Sequence, residues 1–404
     1  MIAGSAVGAA ALLTPFDMQV PLWGGWSAGA LTALAAAMTA AVIALRAHAH
    51  VITDDSDTPR ADALDRAAAA VAYALIAGLA VALVFIACDW LAADRAANLL
   101  QATVLASASL TFVAFAVSAS ARHTGTIHAV ALLMTLIAVG SLTSIATTPD
   151  PDWWVLYFSQ LGAFRVFSGF VFNGTLIMTG ALILVFSVRV HREMTKMHRR
   201  SVLRSRRAPR TLAFLVGAVG FHLAMVGFIP VNTLQFWHDR AATGMTLAFA
   251  GMLATTPWLL RGMPGRIFRS TAWVSGILLV GAVLFIFGII NLTAFEVLAF
   301  ALMFTWIGVF ATDMDREQRR RADSGDTAAV AGDVPAAAPA TGPRRSLSAR
   351  RRRVGVGAYA ARRAPAAGPR STRPSRSPGP SRSPSPRRHP RPTSARADAD
   401  PSLG

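Results

Sequence analysis

Nine stretches of about twenty apolar residues, separated by loops whose arginine content alternates between high and near zero, constrain this chain more than any other feature. As a helix rising about 1.5 Å per residue, each stretch crosses a hydrocarbon layer of about 30 Å. A helix also satisfies its own backbone groups where no water is available. Spans are expected at residues 23–45, 67–88, 99–119, 127–147, 168–188, 211–230, 241–260, 271–290 and 293–312. The fold class that follows is all-α, a polytopic integral membrane helical bundle of nine spans.

Orientation follows from the short loops, because arginine and lysine are retained on the cytoplasmic side. The stretch 189–210 carries nine cations, and two other loops carry three each, namely Arg46, Arg60 and Arg66, and Arg261, Arg266 and Arg269. The intervening loops hold Arg95, Arg165, Arg240 or no cation, and all fall on the opposite side. The expected location is the bacterial plasma (inner) membrane, with the C-terminus cytoplasmic. The abundance of Ala and Arg, with Lys196 the only lysine, resembles the codon bias of a GC-rich bacterial genome.

The formal charge of +18 comes largely from residues 313–404, which hold twenty Arg against eight Asp or Glu and are rich in Pro, Ser and Ala. Such a composition buries too little apolar surface to offset chain entropy, so this tail is expected to be disordered. Its sparse aromatics give no platform for stacking bases, which argues against nucleic acid as a partner. The basic loop, through Arg192, Lys196, Arg199, Arg200, Arg204, Arg206 and Arg207, is expected to face anionic lipid headgroups. Cys88 is the only cysteine, so no disulfide or thiolate cluster forms within the chain. Residues 1–22 begin with an apolar run too short to span, 2–13. We expect a truncated or misassigned first helix, which would make ten spans, with a re-entrant or interfacial segment as the alternative. The expected organisation is thus 1–22, four spans in 23–147, five in 148–312, and the tail.

Polar residues near the membrane collect at the outer face. The loop after the fourth span holds Asp152, Ser159 and Gln160, the next helix holds Asn173 near its outer end, and the following outer loop holds Asn232, His238 and Asp239. Asp17, Asp89 and Glu296 also fall at outer ends. Together with His222, inside the sixth span, they are the candidates for an outward-facing polar pocket. Each has a plainer reading. Trp153, Trp154, Tyr157 and Trp237 fit an interfacial aromatic belt, Ser159 a helix cap, His238 and Asp239 a solvated loop pair, and His222 and Asn173 interhelical hydrogen bonds. No HExxH, GxSxG or GxxxxGK[ST] occurs, and no motif implies a cofactor or a metal.

The runs Phe158-Ser159-Gln160-Leu161-Gly162, Phe172-Asn173-Gly174-Thr175 with Gly180, and Val226-Gly227-Phe228-Ile229-Pro230 followed by His238 resemble the bacterial membrane family called domain of unknown function 998, over about residues 153–312. Gln160 stands where Ser-Glu-Leu-Gly versions of the motif carry an acid. The resemblance implies a multi-pass inner-membrane protein and brings no activity with it. The functional expectation is binding or transport of a lipid or small ligand at the outer pocket. The alternatives are a membrane-embedded hydrolase, metal-dependent or using a general base, built from His222, His238 and Asp239, and a structural or assembly factor acting through the basic loop and tail.

The cation pattern generates the first test. A reporter active only outside the cytoplasm is expected to be active when fused near Gln160 or Asn232 and silent near Arg200 or after Arg321; the reverse pattern refutes the orientation.

Overall fold

The computed structural model describes residues 19–49, 59–92, 97–123, 125–199, 201–203 and 205–332. Among these lie nine long helices: α1 (Ala28–Ala49), α2 (Pro59–Ala92), α3 (Leu99–Ser120), α4 (Thr126–Thr147), α5 (Phe167–Arg199), α6 (Ala208–Phe228), α7 (Gln235–Leu259), α8 (Gly265–Ile286) and α9 (Leu292–Gly332). Eight are long and apolar enough to cross a membrane. The exception is α7, whose apolar run is diluted by Gln235, His238, Asp239 and Arg240 in its opening turns and by Pro257 near its end. A two-residue strand pair, β1 (Gln19–Val20) and β2 (Ala97–Asn98), is antiparallel, with Gln19 opposite Asn98. The apolar run 2–13 lies outside the described residues, as does the tail beyond 332. The tail boundary expected at Asp313 falls inside α9, which continues to Gly332.

Three helices exceed the bilayer. At 33 residues, α5 is about 50 Å long, some 20 Å more than a hydrocarbon core requires. Its polar end meets the start of α2, where Arg192 bonds Asp62 at 2.8 Å and also pairs with Asp65. Arg189 approaches Asp65 at 3.9 Å. The start of α4 is joined to this side by α9. Gly125, the residue before α4, offers no side-chain cap. Asp315 supplies one from a distance, its carboxylate accepting the N–H groups of Thr126 at 3.2 Å and Ile127 at 3.0 Å. Those N–H groups have no intrahelical acceptor, and a carboxylate there also complements the helix dipole.

Helix α5 packs on α4 and α6, α2 packs on α1 and α4, and α9 packs on α8 and α4. In a bilayer the apolar effect does not draw helices together, so close backbone approach and dispersion must do it. The α5–α6 crossing shows how. A Cβ built on Gly220 would lie 2.7 Å from the Gly180 carbonyl oxygen and 2.8 Å from Ile183 Cγ2, and one on Gly227 would lie 2.6 Å from the Asn173 carbonyl oxygen. Elsewhere the core is aromatic. The fully buried Trp306 donates to Thr271 Oγ1 at 2.9 Å, stacks on Phe310 and meets Phe249 edge-on, joining α9 to α8 and α7. The outer surface carries exposed Phe112, Phe115, Phe214, Trp258 and Trp273, as expected of side chains that face acyl chains.

The crossing predicts opposite effects for one substitution at two glycines. Gly220→Ala is expected to cost about 1–3 kcal/mol through overpacking and to lower the thermal midpoint in detergent. Gly276→Ala, with nothing within 4 Å of the added carbon, is expected to leave the midpoint unchanged or raised.

Candidate functional site

The connection between α4 and α5 enters with a local turn, in which Asp150 Oδ1 accepts the Asp152 N–H at 2.9 Å. It then forms a short 3-10 helix, Phe158–Gly162. Two apolar side chains seat that helix. Leu161 is fully buried, and the Phe158 ring sits among Trp153, Phe172 and Phe300, closest to Phe172 at 5.2 Å between centroids.

Side chains from other elements then fasten the backbone of the connection. Asn291, just before α9, donates to the Trp154 carbonyl at 2.7 Å while its Oδ1 accepts the Ala294 N–H at 2.9 Å, so it caps α9 and ties the loop. Glu296, one turn into α9, accepts the Phe158 N–H at 2.6 Å. Asn173 of α5 donates to the Gly162 carbonyl at 2.9 Å, and Asn232 from the α6–α7 loop donates to the Ala163 carbonyl at 2.7 Å. These bonds give partners to loop peptides that the short helix leaves unsatisfied.

One contact joins two of the candidate side chains. His238, buried in the first turn of α7, places Nε2 3.2 Å from Ser159 Oγ. Its Nδ1 is 2.7 Å from the Ile229 carbonyl oxygen, at the end of α6. A carbonyl only accepts, so Nδ1 carries the proton, and in the neutral ring Nε2 is left to accept from the serine hydroxyl. Ser159 is half-buried.

The sequence candidates thus separate into groups. The structure brings Ser159, Asn173, Asn232 and His238 to one short segment, together with Glu296 and Asn291. Asp152 and Asp239 are exposed. The Gln160 side chain is half-buried beside Ser159 and has no hydrogen-bond partner among the described residues. His222 bonds the Ala218 carbonyl at 2.8 Å, one turn back in its own helix, and its ring fills the space over Gly244 of α7. That bond is within α6, where an interhelical one was expected. Among the described residues no three His, Cys, Asp or Glu side chains are placed to hold a metal ion, so the centre considered for His222, His238 and Asp239 is not formed.

In the basic loop, Arg192 is already paired with Asp62 and Asp65, and Lys196 with Glu193 at 3.1 Å. Arg199, Arg206 and Arg207 are exposed, whereas Arg200 and Arg204 lie outside the described residues. Asn291 escaped sequence reasoning, although an Asn just ahead of an apolar helix is a capping signal.

Residues 129–313 match the model of the family described as Protein of unknown function (DUF998). The match runs from within α4 to within α9 and takes in the fastened loop and the side chains named above that fasten it. No curated protein and no solved structure matches the chain.

The fastening predicts a graded response. Asn173→Ala and Asn232→Ala are each expected to cost about 1 kcal/mol and to raise backbone hydrogen exchange across residues 154–163. Glu296→Gln keeps an acceptor for the Phe158 N–H and is expected to disturb exchange less than Glu296→Ala. Equal exchange in all four variants refutes the fastening.

Proposed function

We propose that this chain is a multi-pass protein of the bacterial plasma membrane, with its C-terminus cytoplasmic, that binds a lipid or similar amphiphile at its outer rim. The observation that carries this reading is the surround of the Ser159–His238 contact. Trp154, Val155 and Leu156 are exposed just ahead of Ser159, and Leu234, Phe236 and Trp237 just ahead of His238. The hydrogen bond between Ser159 and His238 brings these two apolar runs to one place, so a polar pair is bordered by large apolar side chains. An amphiphile matches such a border, with its chain against the aromatics and its polar part toward the hydroxyl and imidazole. Fastening the loop in advance lowers the ordering cost of binding. On the cytoplasmic side, exposed Arg199, Arg206 and Arg207 support contact with anionic headgroups.

Reconstitution in vesicles containing a photoactivatable phospholipid tests the reading. Crosslinks are expected to concentrate on residues 154–167 and 228–237, and to fall there in Phe236→Ala and Trp237→Ala. Crosslinks spread evenly over all lipid-facing helices overturn it.

A further inference from the structure

The ring of His238 is fixed in one tautomer by a main-chain carbonyl. Its Nδ1–H is fixed on the Ile229 carbonyl at 2.7 Å, and its Nε2 lone pair meets Ser159 Oγ at 3.2 Å. This is the arrangement in which an imidazole draws the proton from a serine hydroxyl as that oxygen attacks a carbonyl carbon. The orienting group here is a peptide carbonyl where many such sites use a carboxylate. It fixes the tautomer in the same way, which is the part of the task that depends on geometry.

Burial and rigidity support the same use. His238 is 5% exposed, so it is shielded from bulk water, while Ser159 is half-buried. The serine sits on a segment whose neighbouring peptides are fastened by Glu296 at Phe158, Asn173 at Gly162 and Asn232 at Ala163. A nucleophile gains from being held in place before the substrate arrives.

We propose that Ser159 and His238 form a nucleophile and general-base pair for acyl transfer from a carboxylic ester of an amphiphile, at the same rim and resting on the binding reading above. Ser159 Oγ bonds to the ester carbonyl carbon as its proton passes to His238 Nε2, and the carbonyl π electrons move onto oxygen. Collapse breaks the bond to the alcohol oxygen, which leaves with the proton from Nε2. A water molecule then attacks the acyl-serine, giving its proton to Nε2, and the acid departs as Ser159 Oγ recovers that proton. The sum is ester plus water to acid plus alcohol, with no change of oxidation state.

The test uses the full chain in detergent micelles and in vesicles, with a fluorophosphonate probe that reacts with activated serines. Wild type is expected to carry the adduct on Ser159, located by peptide mass spectrometry. Ser159→Ala should lose it, and His238→Gln should slow labelling by roughly 100-fold, the span general-base assistance supplies. Thermal midpoints accompany each variant. Ser159→Cys provides a readout in a chain that keeps a nucleophile: iodoacetamide should modify the thiol at position 159 faster with His238 present than in the variant that also carries His238→Gln, and equal rates overturn the general-base role. No adduct on wild-type Ser159, with phospholipid crosslinks still concentrated at the rim, overturns the acyl-transfer proposal and leaves the binding reading standing. Loss of both overturns both.

Discussion

A peptide group at the depth of the acyl chains has no water to bond, and leaving it unpaired costs several kcal/mol. The helices answer this along their length, but their ends and the connections near the membrane do not. The polar side chains of this chain are placed where that problem remains. Asp315 takes the bare N–H groups at the start of α4, Asn291 one at the start of α9, and Asn173, Asn232 and Glu296 serve the connection between α4 and α5. The asymmetry that draws attention to the outer face in the sequence thus has a structural cause as well as a functional opportunity. Asn173, Asn232, Asn291 and Glu296 fasten backbone there, whereas Ser159 and His238 join side chain to side chain across two connections.

The packing obeys the same solvent. Gly180, Gly220 and Gly227 bring the backbones of α5 and α6 together, because dispersion at short range is the attraction left when the surroundings are as apolar as the helix. Outside the acyl layer, charge takes over. Arg189 and Arg192 on α5 pair with Asp62 and Asp65 on α2, so part of the strongly basic loop is neutralised within the protein. The cations that remain exposed are fewer than the sequence total suggests.

Much of the fold was legible because hydropathy and helix length are properties of contiguous residues. Each of the nine expected spans falls largely on one helix, and the carboxylate contacts made by α9 and α2 join ends that the cation pattern assigns to one side. The end of α9 was not legible from hydropathy. Its continuation past Asp313 runs through Arg, Gln, Glu and Ala, which favour helix without being apolar. The candidate site was half legible. Residue type and position singled out Ser159, Asn173, Asn232 and His238, yet three of the four bond to main-chain carbonyls, and a carbonyl acceptor carries no residue name. For the same reason His222, a costly polar group in a span, could not be told from a ligand until its bond to Ala218 was seen. The ion pairs of Arg192 have no local mark either, because its two aspartate partners, Asp62 and Asp65, lie 130 and 127 positions away in the chain.

The cap that Asp315 places on α4 has a further consequence for how the chain is partitioned. The family match begins in α4 and ends at residue 313, two positions before that aspartate. The first and last helices of the matched segment therefore lie side by side and are hydrogen-bonded to each other. A segment whose two ends meet is closed in space even though it is open in sequence, and such a unit tolerates additions at either end without reorganisation. The helices α1 to α3 lie outside the matched segment, lean on α4 and α5 through α2, and share one compact unit with it.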